Sequence, residues 1–343
     1  MPQFTISLHS HNLPPLDDEK LEQRHCYTQK TRASPSSLKS TTRKIRRLPA
    51  SQEHVYDPRP QQRARSPARR LEREAVAVLP TISVADTWQQ WTTTLDKSLT
   101  RQSAPGHPFH KDPYSLRSIT VQSFDLWGHE RIGFIKVLAS VSNSAGEALP
   151  ASAFLRGPSV AMLVMLVPDD AAPDSDERYV VLTVQPRVPA GSLSFVELPA
   201  GMVDDAGSFR GAAAKEIEEE LGITIHEDEL VSLNDLAAEV AGHREEDDGE
   251  GLPTAMFPSA GGCDEHITIF SCERRIPRSQ LSEWNGRLTG LRSEGEKITL
   301  KLVPMKNLWM EGARDAKCLG ALALWEALRR EKKLEHTRQE QES

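Results

Sequence analysis

Residues 197–225, ELPAGMVDDAGSFRGAAAKEIEEELGITI, run from an apolar strand through a Gly-containing loop into a helix that Gly222 closes. Each residue of an α-helix turns about 100°, so Glu216, Glu219 and Glu220 share one face. Ala213, Ile217 and Leu221 form an apolar stripe beside it, and Glu218 projects elsewhere. The segment must therefore lay one flank on a core and gather carboxylates on the other. Like charges at this spacing cost a bare helix a few tenths of a kcal/mol. A divalent ion such as Mg²⁺ or Mn²⁺, which takes oxygen ligands, gives the crowding a use. An acidic run of this kind is otherwise a solvated face, so the loop ahead of it decides between the two readings.

Gly201, Lys215-Glu216, Glu219-Glu220 and Gly222 keep the spacing G-x5-E-x7-R-E-U-x-E-E-x-G-U, where U is aliphatic and is filled by Ile217 and Ile223. In this the segment resembles the Nudix box, the signature of a family that cleaves nucleoside diphosphates linked to another moiety. Two positions depart from it: Gly207 stands where the pattern has Glu, and Lys215 where it has Arg. Asp204 and Asp205 are the residues that could substitute for the first. ELPAGM with DDAGSF, the GGCDE loop and the late ARDAKCLGALALWEAL segment are similar to the ADP-sugar diphosphatase and ADP-ribose pyrophosphatase branch. That likeness spans residues 108–334.

The resemblance implies an α+β fold: a Nudix α/β/α sandwich with a mixed sheet, preceded by a small antiparallel N-terminal sheet that serves dimerisation. It implies Mg²⁺-dependent hydrolysis, with Mn²⁺ as the alternative ion, of ADP-glucose or ADP-ribose to AMP and a sugar phosphate. Metal ligands would be Glu216, Glu219, Glu220 and the carbonyl of Ala200. Catalysis would add Glu265 as base beside Glu219, with Asp264 as second choice; an acid capping a turn is the plain alternative. Arg187 and Arg156 would hold the substrate, because a guanidinium matches phosphate geometry, surface ion pairing being the competing explanation. Cys263 lacks a partner His at interpretable spacing, so it is not read as a nucleophile. Two other functions stay open: hydrolysis of NADH or a diadenosine polyphosphate, and a catalytically weak nucleotide- or RNA-binding protein. The latter is motivated by Gly207, Lys215 and the basic N-terminal segment.

A net charge of −7 over 343 residues hides a strong asymmetry, for residues 20–73 hold 15 Lys and Arg against 4 Asp and Glu. That stretch is rich in Arg, Ser, Gln and Pro without a sustained period and cannot offset its ordering entropy by burial. Residues 1–82 are thus expected to be mostly disordered, with nucleic-acid binding unlikely and nuclear or organellar targeting as side readings. The four cysteines show no CxxC pair and no zinc spacing, which favours a reducing compartment. No apolar run approaches a membrane span, and the cytoplasm is the first expectation.

Residues 83–150 are expected to form a helix and an antiparallel sheet, residues 151–334 the hydrolase domain, and residues 335–343 a charged tail. Ser83 and Asp86 resemble a capping box, and Val84, Trp88, Trp91, Leu95 and Leu99 recur at helical spacing with the tryptophans as packing. Strands are predicted over 118–127, 131–142, 159–167, 178–185, 192–198, 266–274 and 297–304. Helices are predicted over 277–288 and 313–333, the second burying Ala316, Leu319, Ala323 and Leu324. Residues 239–251 read as an acidic mobile loop.

Overall fold

The ten residues of β6, Ser159–Pro168, are buried at every position, so this strand lies inside a sheet covered on both faces. The structure is a computed structural model that describes residues 4–7, 86–127, 131–172, 175–203, 208–221, 224–242, 250–290 and 297–334. One compact unit comprises Met1–Leu8 and Ser66–Ser343; a second, His9–Arg65, falls outside the described residues, as do the basic segment, Ser83 and the C-terminal tail. Among the described residues no helix is long and apolar enough to cross a membrane.

Ahead of β6 stands an all-antiparallel sheet. It runs β1 (Phe4–Ser7), β2 (Ser115–Trp127), β3 (Arg131–Ser142) and β4 (Ala148–Leu149), with β5 (Ser152–Leu155) also on β3. Helix α1, Asp86–Arg101, packs Trp88, Trp91, Leu95 and Leu99 onto Leu116, Ile119, Val137 and Leu155, so the tryptophan stripe is core. β1, β4 and β5 have no counterpart in the strands predicted above; all three are four residues or shorter and sit at the sheet's margins.

The central sheet has the order β10 (Val231–Ser232), β11 (Ile267–Ile276), β6, β7 (Tyr179–Arg187), β13 (Ile298–Pro304) and β12 (Leu288–Thr289). β8 (Ser192–Glu197) pairs with β7 and β9 (Ala200–Met202) with β6. Only β6 and β11 run parallel; the other pairs are antiparallel, which makes the sheet mixed. Side chains alternate across β6 with period two. Val160, Met162, Val164 and Leu166 meet Ala213, Ile217 and Leu221 of the box helix, α2 (Phe209–Glu216) and its continuation. Ala161, Leu163 and Met165 meet Leu233 of α3 (Leu233–Ala241) and Cys318, Ala321, Trp325 and Leu328 of α6 (Ala316–Arg330). The result is an α+β fold, a sandwich with helices on both faces of a mixed sheet and a separate antiparallel sheet before it.

β6 and β7 pair only at Met165–Val180 and Leu166–Tyr179. Beyond that point they part, β9 taking the free edge of β6 and β8 that of β7. The chain from Glu197 to Met202 crosses this opening, and the candidate site is built around it.

The helices also differ from the sequence expectation. α3, absent from the predicted helices, runs to Ala241 and so takes the first residues of the loop expected at 239–251: Ser232 Oγ accepts from Asp235 N at 3.3 Å, and Gly242 ends the helix at φ 69°. Residues 277–288 hold only a 3₁₀ turn and the short α4, Leu281–Trp284, before Gly286 turns the chain into β12. A further short helix, α5, spans Leu308–Glu311. On α6 the buried stripe is Cys318, Ala321, Trp325 and Leu328, whereas Ala316, Leu319 and Ala323 are exposed. Ala and Leu occur on every side of that helix, so their spacing alone does not fix the face; the largest apolar side chain, Trp325, does.

Candidate active site

β8 ends at Glu197, and the next residues are held from three directions. Leu198 N donates to Asp315 Oδ2 at 2.9 Å, Pro199 O accepts from Met162 N at 2.9 Å, and Ala200 and Gly201 pair with Ala161 and Val160. This turn is therefore rigid before any ligand arrives. Residues 204–207 lie outside the described residues, so the Gly207 departure and its possible substitutes Asp204 and Asp205 are not placed. Ser208 caps α2, its Oγ accepting from Gly211 N at 2.9 Å and donating to Glu227 Oε2 at 2.9 Å.

From Ile217 to Leu221 the box helix widens into a π turn, a feature common at functional sites. The three glutamates therefore do not share one face as equal neighbours. Glu220 is buried, Glu219 is half-buried with Lys215 Nζ 3.7 Å from its Oε1, and Glu218 is exposed as expected. Lys215, the second departure from the box pattern, is exposed and makes this i,i+4 pair. Glu216 lies against Gly201, where a Cβ would stand 1.6 Å from Glu216 Oε1. The glycine is thus a cradle for a carboxylate.

Glu220 Oε1 accepts weakly from Gln185 Nε2 at 3.4 Å, while its buried Oε2 has no hydrogen-bond partner among the described residues. Burial, then the negative charges of Glu216 and Glu197, push its pKa up to about 8, against the pull of Arg187 and Gln185. An orphaned carboxylate oxygen beside a second carboxylate is a costly arrangement that a divalent cation would relieve. As the side chains stand, no three His, Cys, Asp or Glu among the described residues form a ready shell. The donor set nevertheless fits a hard cation: all-oxygen, acidic, and with one oxygen unsatisfied.

Behind the carboxylates runs a chain of ion pairs. Arg187 Nε donates to Glu197 Oε1 at 2.5 Å, Lys317 Nζ to Glu197 Oε2 at 2.9 Å, and Lys317 Nζ lies 2.9 Å from Asp315 Oδ1. Burial disfavours the Lys317 charge, but Asp315 and Glu197 more than offset it and hold its pKa above the usual value. Sequence reasoning singled out Arg187 alone of these four. Asp315 carried a readable signal, as an Asp just ahead of a helix; nothing in the spacing linked Lys317 to Glu197, 120 residues earlier.

The other candidates gather at the start of β6 and β11. Glu265 Oε1 accepts from Ser159 Oγ at 3.2 Å and pairs with Arg156 Nη1 at 3.2 Å. Asp264 Oδ1 is taken by the backbone N–H groups of Arg156 at 2.7 Å and Gly157 at 3.3 Å, which makes it an anchor for that turn. Burial raises the Asp264 carboxyl and, in Cys263, the thiol; His266, also buried, is lowered. Ser159 pairs with Met202 across β6 and β9, so this cluster stands at the same end of the sheet as Gly201.

The NUDIX domain family matches residues 159–317, from the first residue of β6 to Lys317. The chain carries a Nudix domain. A curated relative, Nudix hydrolase 14, chloroplastic, of Arabidopsis thaliana, is 38% identical over 219 residues. The match covers 63% of this chain and 64% of the relative, so it spans just under two thirds of the relative's length. A solved structure described as an ADP compounds hydrolase aligns over 63% of this chain and 97% of its own, at 16% identity and a TM-score of 0.39.

Proposed function

We propose that the Nudix domain is a Mg²⁺-dependent pyrophosphohydrolase whose substrates are ADP-sugars, ADP-ribose and ADP-glucose first among them. The observation that carries the reading is the unpartnered, buried Oε2 of Glu220 next to Glu216, at the turn where Gly201 makes room for a carboxylate. Glu216, Glu220 and Glu219 would hold the metal together with the carbonyl of Ala200. When bound, the cation offsets phosphate charge and lowers the pKa of an attacking water.

The remaining steps belong to the chain's own groups. Arg187 is held by Nε on Glu197, and no described residue accepts a bond from its two terminal amino groups. Those groups meet the diphosphate. Glu265 takes the water's proton at a carboxylate oxygen, oriented by Ser159 Oγ and Arg156 Nη1. Asp264 is the weaker choice for this step because two backbone amides occupy its Oδ1. Arg156, paired to Glu265, serves the base more directly than the phosphate. ADP-sugar preference rests on the ELPAGM, GGCDE and ARDAKCLGALALWEAL segments; a hydrolase as such is also the printed name of the 38%-identical relative.

We also propose a homodimer formed through the antiparallel sheet, whose face away from α1 leaves Leu138 45% and Phe154 39% exposed. For location, the cytoplasm is proposed first; the relative's chloroplastic name and the basic segment support an organellar alternative. A substrate panel at fixed Mg²⁺ tests the function. ADP-ribose or ADP-glucose should give the highest kcat/KM and release AMP with a sugar phosphate. Faster turnover of NADH or a diadenosine polyphosphate would overturn the substrate class.

A further inference from the structure

We infer that Lys317, on the far helix of the sandwich, is a positioning residue for the substrate-side guanidinium of Arg187. This rests on Arg187 meeting the diphosphate, as proposed above. Lys317 lies on a helix rather than in the sheet, and it reaches Arg187 through Glu197. Glu197 divides its two oxygens between two cations, Oε1 for Arg187 Nε and Oε2 for Lys317 Nζ. Its side chain is 4% exposed, so it cannot turn to water for a substitute.

This division of oxygens decides what Arg187 can do. With Oε2 taken, Glu197 offers one oxygen, and Arg187 binds it through Nε, leaving both terminal amino groups for a phosphate. Remove the Lys317 charge and Glu197 becomes a buried carboxylate with a single cation. The stable answer to that is a bidentate fork, in which Arg187 turns a terminal amino group onto Oε2. The guanidinium edge that would meet substrate is then spent on the protein.

Lys317 is itself fixed by Asp315, which caps α6 through Lys317 N at 3.1 Å and holds Leu198 N through its other oxygen. The N-terminus of α6 therefore sets both the backbone ahead of Ala200 and the side chain of Arg187. Such a role differs from scaffolding, because it predicts that loss at Lys317 and loss at Arg187 remove the same contact.

The test is a double-mutant cycle on the full chain, read by calorimetric titration with inorganic pyrophosphate at saturating Mg²⁺. Pyrophosphate carries the group shared by every candidate nucleotide, so a wrong ADP-sugar assignment, visible in the substrate panel, leaves the cycle readable. Lys317→Met and Arg187→Met should each weaken binding about tenfold, and the double variant no more than about tenfold. Glu197→Gln should show the same loss and the same non-additivity with Arg187→Met, which keeps the test decisive if Lys317→Met fails to fold. Losses that multiply to about a hundredfold would overturn the inference. So would wild-type affinity in Lys317→Met, a lowered melting temperature with unchanged affinity, or a wild-type chain that binds no pyrophosphate.

Discussion

Glu220 is a carboxylate held out of water beside Glu216 and Glu197, with Gln185 and Arg187 only partly balancing it. Its raised value, about 8 against an ordinary 4.5, has a direct consequence for the metal-free chain. Between these values the folded form keeps a proton that the unfolded chain has released. Stability from this group is therefore greatest below about 4.5 and declines as pH rises toward 8. One group can contribute a slope of at most about 1.4 kcal/mol per pH unit. Melting temperature measured against pH in EDTA should fall across that window, and Glu220→Gln should flatten the fall; an unchanged slope in the variant would remove Glu220 as its source.

The turn at Ala200–Met202 and the helix it faces act as one device. Gly201 has no positive φ, so its absent side chain serves space rather than backbone freedom. Gly201→Ala would place a methyl 1.6 Å from Glu216 Oε1, and the flexible carboxylate is the part that yields. The fold should persist while turnover drops by about a hundredfold, since displacing a catalytic group by an ångström costs about that much. Circular dichroism with a steady-state assay checks both; normal turnover would show that Glu216 need not sit there. This element was legible in sequence because Gly201 and Ile217 each do something local: make room and pack. The apolar strands β6, β7 and β11 were legible for the same reason. The π turn was not, for its residues fit an α-helix equally well; in the structure it buries Ile217, Glu220 and Leu221. α3 was hidden by the acidic run that follows it, although Ser232 and Gly242 mark its ends. The face of α6 was misread because Ala316, Leu319 and Ala323 imitate a stripe that Trp325 and Cys318 actually form. With that face misplaced, Lys317 could not be seen to reach Glu197.

At the scale of the whole molecule, the antiparallel sheet and the sandwich divide the work. The sheet buries one face under α1 and leaves Leu138 and Phe154 exposed on the other, with Phe134 and Phe154 rings 5.4 Å apart. If this is the homodimer face, Leu138→Glu should yield a monomer by light scattering, because a charge placed in an apolar contact disfavours association; a dimer that survives would move the interface elsewhere. The proposed chemistry is assigned to the sandwich, and the proposal turns on Glu220 binding the cation that drives pyrophosphate cleavage. The most direct test is the rate of AMP release from ADP-ribose by Glu220→Gln at saturating Mg²⁺. The account predicts a folded protein slowed by about a hundredfold or more, and a near-normal rate would contradict it.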